Sequence, residues 1–252
     1  MYVTPFKQLS GREKKSIPIL LNFLIDASGS MDPIKGTLAK AINEDFLGAM
    51  SNVNKAERSV LRVHAEAFSY ESRHLWNGFK ALWELGESPV SESDLNGEGL
   101  GGETALYKYT KTAFGHLVQA SNTLALQMNM RAKSKLIVLT DGANNLEPLG
   151  AQGISQVRAA FAFPQERVEV QKILAYFKTR GGVDKEAIKK SAAQCRFDEL
   201  YVFDRHNTDT TALRKEIRRV LRLLSEKGKR EEALRPEGFE VYTKEELTLL
   251  RW

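Results

Sequence analysis

Apolar runs and amphipathic stretches alternate along this chain from end to end. Residues 17–25 are almost continuously apolar, the pattern of a central strand covered on both faces. Asp32-Pro33 then supplies a helix N-cap followed by proline at the first helical position. Ile34, Leu38, Ala41, Ile42 and Phe46 mark the buried stripe of the helix that follows. Residues 59–68 set Val60, Arg62, His64 and Glu66 against Leu61, Val63, Ala65 and Ala67, a period-2 strand with unequal faces. Residues 75–85 carry Trp76, Phe79 and Trp83 around Asn77-Gly78, which predicts an edge strand or small hairpin. Residues 88–102 are polar and glycine-rich, a loop. Leu106, Tyr109, Ala113, Leu117 and Leu124 form the stripe of a second long helix. Residues 135–140 read as a short buried strand ending in Asp141-Gly142. Beyond it the pattern predicts a helix over 154–163, a strand over 167–177, a helix over 185–193 and a last strand over 200–203.

Alternation of this kind predicts an α/β fold, doubly wound, with a mostly parallel central sheet flanked by helices on both faces and one antiparallel edge strand. The pattern shows one core and no repeat. It divides the chain into an N-terminal extension (1–16), one folded domain (17–224) and a charged C-terminal tail or docking segment (225–252). That last segment ends in an apolar cluster of Leu247, Leu249, Leu250 and Trp252.

Composition narrows the setting. The 252 residues are 42% hydrophobic and 27% charged, within the range of ordinary globular domains. The longest apolar run falls far short of the roughly 20 residues that span a bilayer. The first fifteen residues do not have the order of a secretory signal, and the lone Cys195 has no partner for an internal disulfide, so the expected location is cytoplasmic. Cys195 itself reads as a small buried hydrophobe. The net charge of +5 concentrates in residues 211–230, where basic residues alternate with Leu213, Ile217, Val220, Leu221 and Leu224 at helical spacing. This reads as a helix with one face in the core and a solvated basic face, with an anionic partner such as nucleic acid as the alternative.

The chemistry lies elsewhere. Directly after the first strand the chain reads Asp26-Ala27-Ser28-Gly29-Ser30-Met31. In an open parallel sheet, ligands sit at the carboxyl ends of central strands, where the strand order switches. Here a carboxylate and two hydroxyls occupy alternate positions on such a loop, and Gly29 allows a tight path. Oxygen donors alone suit a hard cation, Mg²⁺ first, with Mn²⁺ or Ca²⁺ as alternatives. Thr104, after the glycine-rich residues 97–102, and Asp141, at the end of the strand over 135–140, add two more oxygens.

D-x-S-x-S after a hydrophobic strand, Thr104 after a glycine loop and Asp141-Gly142 after a later strand resemble the metal-ion-dependent adhesion site of the von Willebrand factor type A family. By element order the resemblance covers residues 17–224. It implies that Ser28 and Ser30 bind a divalent ion directly, that Asp26 and Asp141 act through bound water, and that Thr104 does either. Family members commonly place Gly-Gly directly before the threonine. Here Glu103 intervenes between Gly102 and Thr104, while Ala105-Leu106 keeps the usual continuation. Met31, Glu103 and Asn144 are expected on the rim that meets a partner.

The resemblance further implies a protein partner that offers a Glu or Asp side chain to the ion. It implies a soluble bacterial adaptor, of the kind that works beside AAA+ ATPases or kinase–phosphatase pairs in stress or defence complexes. No catalytic constellation accompanies the motif. A P-loop would need lysine where Glu103 stands, and a nucleophile elbow would need glycine where Asp26 stands. The four histidines, His64, His74, His116 and His206, are scattered in sequence without metal-ligand spacing. A hydrolase or phosphatase using the same ion to activate water is the alternative from another class.

Overall fold

The computed structural model describes residues 17–46, 61–97, 100–129, 131–142, 150–162, 167–179, 183–203 and 239–250. Its strands, in chain order, are β1 (Ile19–Asp26), β2 (Leu61–Phe68), β3 (Ser72–His74) and β4 (Lys80–Ala81). They continue with β5 (Ala132–Thr140), β6 (Val168–Phe177), β7 (Glu199–Phe203) and β8 (Phe239–Tyr242). The longer helices are α1 (Asp32–Lys40), α2 (Leu106–Met128), α3 (Gly150–Ala162) and α4 (Lys185–Cys195), followed by a short α5 (Lys244–Leu249).

The most apolar run becomes the middle of the sheet because it has the most to gain from burial on both sides. Seven of the eight residues of β1 are buried, and each large side chain fully buried contributes roughly 1.5–3 kcal/mol. β1 pairs in parallel with β2 on one side and with β5 on the other. The strand order is β3-β2-β1-β5-β6-β7-β8, with β4 also on β2. The chain therefore steps one way from β1 to β2 and the other way from β1 to β5, and the switch point lies between β1 and β5.

Alternation along β1 assigns the two faces. Leu21, Phe23 and Ile25 pack with Ile34 and Leu38 of α1. Leu20 and Leu24 pack with Leu106, Ala113 and Leu117 of α2, in a core that also takes Phe161 of α3 and Ile188 of α4. Helices on both faces of a mostly parallel sheet make the fold doubly wound α/β, as the hydrophobic pattern predicts. Among the described residues no helix is long and apolar enough to cross a membrane.

The edges differ from the sequence reading. One antiparallel edge strand was expected, whereas β3 and β4 run antiparallel on β2 and β8 runs antiparallel on β7. At the first edge Gly78 takes φ +83° between β3 and β4, the left-handed turn that Asn77-Gly78 signals. Trp76 is buried there, while Trp83 is 59% exposed. At the second edge the segment read as a tail or docking element supplies β8 and α5. Thr243 and Glu246 cap α5 reciprocally, and Leu247 is fully buried against the α2-side core. A four-residue strand is too short to register as periodic. The basic stretch 211–230 and the extension 1–16 lie outside the described residues.

Candidate functional site

β1 ends at Asp26, and the next residue is held in line by the Ala27 N–H, which donates to the Phe68 carbonyl at 2.7 Å. The chain then turns through a one-turn 3₁₀ helix, Gly29–Met31, directly into α1. This turn places the Ser28 N–H on Asp26 Oδ1 at 2.9 Å and leaves the Ser28 and Ser30 hydroxyl oxygens 3.1 Å apart. Asp26 and Ser28 are buried, and Ser30 is half-buried.

The neighbouring strand closes the other side. Thr140, the last residue of β5, donates its hydroxyl to Asp26 Oδ2 at 2.6 Å and accepts the Gly142 N–H at 2.9 Å. Both Asp26 oxygens are thus oriented by the protein. Asp141 is fully buried, and its Oδ2 accepts the Thr179 hydroxyl at 2.6 Å. Gly142 must take φ +79° to turn the chain away. A Cβ at that position would stand 2.6 Å from a Val183 methyl and 2.9 Å from a methyl of Ile188.

The glycine loop arrives from above β2. Ser69 anchors it, accepting the Gly101 N–H on Oγ at 3.0 Å and the Ala105 N–H on its carbonyl at 3.1 Å. Gly101 and Gly102 have φ of +104° and +69°. The loop passes so close to the first one that a Cβ on Gly29 would lie 3.7 Å from the Gly102 nitrogen. Thr104 is buried at the end of this loop, and Glu103 is exposed beside it. Met31, expected on the rim, is instead fully buried in the α1-side core. It is the last residue of the 3₁₀ turn, which directs it inward. Asn144 lies outside the described residues.

Burial pushes the Asp26 carboxyl up to about 7, and the Asp141 charge adds to this, against the hydrogen bonds from Thr140 and Ser28. Two buried carboxylates side by side disfavour each other's ionisation unless a positive charge stands between them. The donor set fits a hard cation on this ground. It consists of oxygens only, two of its members being carboxylates. Neighbouring ligands of an octahedral Mg²⁺ at about 2.1 Å lie about 3.0 Å apart, close to the Ser28–Ser30 oxygen separation of 3.1 Å.

A von Willebrand factor type A protein from Catenulispora acidiphila superposes with a TM-score of 0.54 at 15% identity, over 82% of this chain and 42% of that one. The fold is von Willebrand factor type A-like. The pilus adhesin SpaC of Lactobacillus rhamnosus GG matches at 0.53 and 13% identity, over 82% of this chain and 30% of its own. Proximal thread matrix protein 1 of the mussel byssus matches at 0.50 and 16%, over 83% of this chain and 47% of its own. The chain thus spans less than half the length of each of these structures. No family model matches the sequence, and no curated protein matches it.

A second group of polar residues escaped the sequence reading. The histidines were expected to be scattered, yet three of them converge on Glu66. His64 Nδ1 lies 3.3 Å from Glu66 Oε1, His116 Nδ1 3.2 Å from Oε2, and His74 Nδ1 3.7 Å from Oε2. Topology brings them together. His64 and Glu66 sit two apart on β2 and so share a face, β3 pairs His74 opposite Glu66, and α2 lays His116 over the same face. Burial raises the Glu66 carboxyl, but hydrogen bonds from His116, His64 and Asn22 and the charge of His64 outweigh this and hold it well below the usual range. Burial likewise lowers His74, with Glu66 opposing and the other two histidines adding. The only sequence signal was the pair His64-x-Glu66 on the polar face of an alternating strand.

Proposed function

We propose that this chain is a non-catalytic, metal-dependent protein-interaction module, a cytoplasmic adaptor. Ser28, Ser30 and Thr104, with Asp26 and Asp141 behind them, would hold one divalent cation, Mg²⁺ first. Such an ion supplies an electrophilic point for a Glu or Asp side chain of a partner. The observation that carries this reading is the meeting of Asp26 and Asp141 at the β1–β5 switch point, with the Ser28 and Ser30 oxygens at ligand spacing.

The protein's own part is orientation. Thr140 and the Ser28 N–H fix the Asp26 carboxylate, Thr179 fixes Asp141, and Ser69 holds the glycine loop against Gly29. Exposed Glu103 borders the opening, where it would repel a partner carboxylate that lacks the ion's attraction. Two of the similar structures are, by name, a pilus adhesin and a thread matrix protein, which agrees with a role in interaction.

Calorimetric titration with Mg²⁺ and Mn²⁺ tests the site, comparing the native chain with Asp26→Ala and Ser28→Ala. Binding in the native chain and its loss in both variants is the expected result. Equal binding in all three sinks the assignment. Capture of a protein partner that is released by EDTA then separates an adaptor from a metal-dependent hydrolase.

A further inference from the structure

We propose that His64, Glu66 and His74 form a second metal site, for Zn²⁺ or a similar borderline transition ion, with His116 as the positioning residue of its carboxylate. One ring nitrogen of each of the two histidines and one Glu66 oxygen all lie within 4.8 Å of one another. Two imidazoles and a carboxylate are a donor set that suits zinc and its neighbours, and three protein ligands leave a position open for water or a partner group. The burial is graded accordingly. His64 and Glu66 are buried, whereas the His74 side chain is 49% exposed, so the open position faces solvent.

Asn22 fixes the protonation of the deepest ligand. It lies opposite His64 on β1 and is fully buried. Its amide N–H groups donate to Glu66 Oε1 at 3.0 Å and to the Ala113 carbonyl at 3.2 Å, so its carbonyl oxygen is the atom that faces His64 Nδ1 at 3.1 Å. An oxygen acceptor there puts the imidazole proton on Nδ1. In the neutral form of the ring the lone pair lies on Nε2, which is buried and has no hydrogen-bond partner among the described residues. A histidine whose second nitrogen donates to a carbonyl is the usual arrangement around a bound ion, because that contact fixes the tautomer and the ring plane. His116 supports Glu66 in the same manner, approaching both carboxylate oxygens at 3.2–3.3 Å from α2.

This site is separate from the one at the sheet's upper end. Glu66 lies opposite Leu24, two residues before Asp26, and on the α2 side of the strand. An ion there would tie β2, the edge strand β3 and the adjoining face of α2 together.

The test uses the full chain without an affinity tag and Co²⁺ as the probe, whose visible d–d bands report low-symmetry nitrogen and oxygen coordination. With Mg²⁺ in excess to fill the oxygen site, the native chain should bind one Co²⁺ with an intense band that equimolar Zn²⁺ abolishes. His74→Ala, at an exposed position, should lose the band while keeping its fold. His116→Ala should weaken Co²⁺ binding about 10–100-fold, the usual effect of removing such a supporting contact. Asp26→Ala should leave the band intact, so that failure of the Mg²⁺ site and failure of this one are read separately. Absence of a band in the native chain, its survival in both His74→Ala and Glu66→Gln, or its loss in Asp26→Ala alone would each overturn the proposal.

Discussion

Thr140 reaches from the end of β5 to Asp26 at the end of β1 and donates its hydroxyl to Oδ2 at 2.6 Å, which joins the two strands at the point where strand order reverses. The same hydroxyl accepts the Gly142 N–H, so one side chain orients both acidic loops. Thr140→Val keeps the shape and removes both contacts. Leaving buried polar groups without a partner costs about 1–3 kcal/mol. The variant should lose that much stability at pH 8 in urea denaturation. Its Mg²⁺ affinity should fall by about tenfold, the equivalent of 1.4 kcal/mol.

The pH dependence has a definite sign. Asp26 titrates near 7 in the folded chain against an ordinary value of 3.8. The folded state therefore holds this proton more tightly than the unfolded chain does. The stability it contributes is complete below the unfolded value and is lost as pH rises through about 7. Without metal, the native chain should lose stability from pH 4 to pH 8 relative to Asp26→Asn. A cation competes with that proton, so stabilisation by added Mg²⁺ should grow across the same interval. Denaturation series with EDTA and with Mg²⁺ measure both, and a flat difference would rule out the assigned burial of charge.

Gly142→Ala should destabilise the fold by about 2–5 kcal/mol. Left-handed backbone in a residue with a side chain costs roughly 1–2 kcal/mol, and overpacking a filled site typically costs 1–3 kcal/mol. The clash falls on Val183 and Ile188, behind the Asp141 turn. Thermal denaturation with and without Mg²⁺ reads it, and a neutral outcome would mean that this turn is looser than its contacts.

Leu247→Ala tests whether the C-terminal segment is part of the domain. Its side chain is fully buried in the core, on a helix that packs against α4, and emptying such a site costs about 2–5 kcal/mol. The expected loss lies in that range, with Mg²⁺ binding at the distant loops unchanged. A loss below 0.5 kcal/mol, typical of surface positions, would return residues 239–250 to the status of a tail.

The sequence by itself determined the parts of this protein that local periodicity encodes. The apolar run of β1, the alternation of β2 and the stripe of α2 specify their elements, because burial on two faces, on unequal faces or along one stripe leaves different spacings. Asp26, Ser28 and Ser30 could be named as candidates because turn chemistry and motif spacing are also local, and the resemblance to the von Willebrand factor type A pattern added Thr104 and Asp141. Only the tertiary structure decided what non-local pairing controls. It turned Met31 inward, added β8 at the far edge, and made Thr140 the link between two acidic loops. It also gathered His64, His74 and His116 around Glu66 from two strands and a helix. Residues up to 52 positions apart in sequence become neighbours there through strand register and helix docking, and neither leaves a trace in the spacing of residues along one segment.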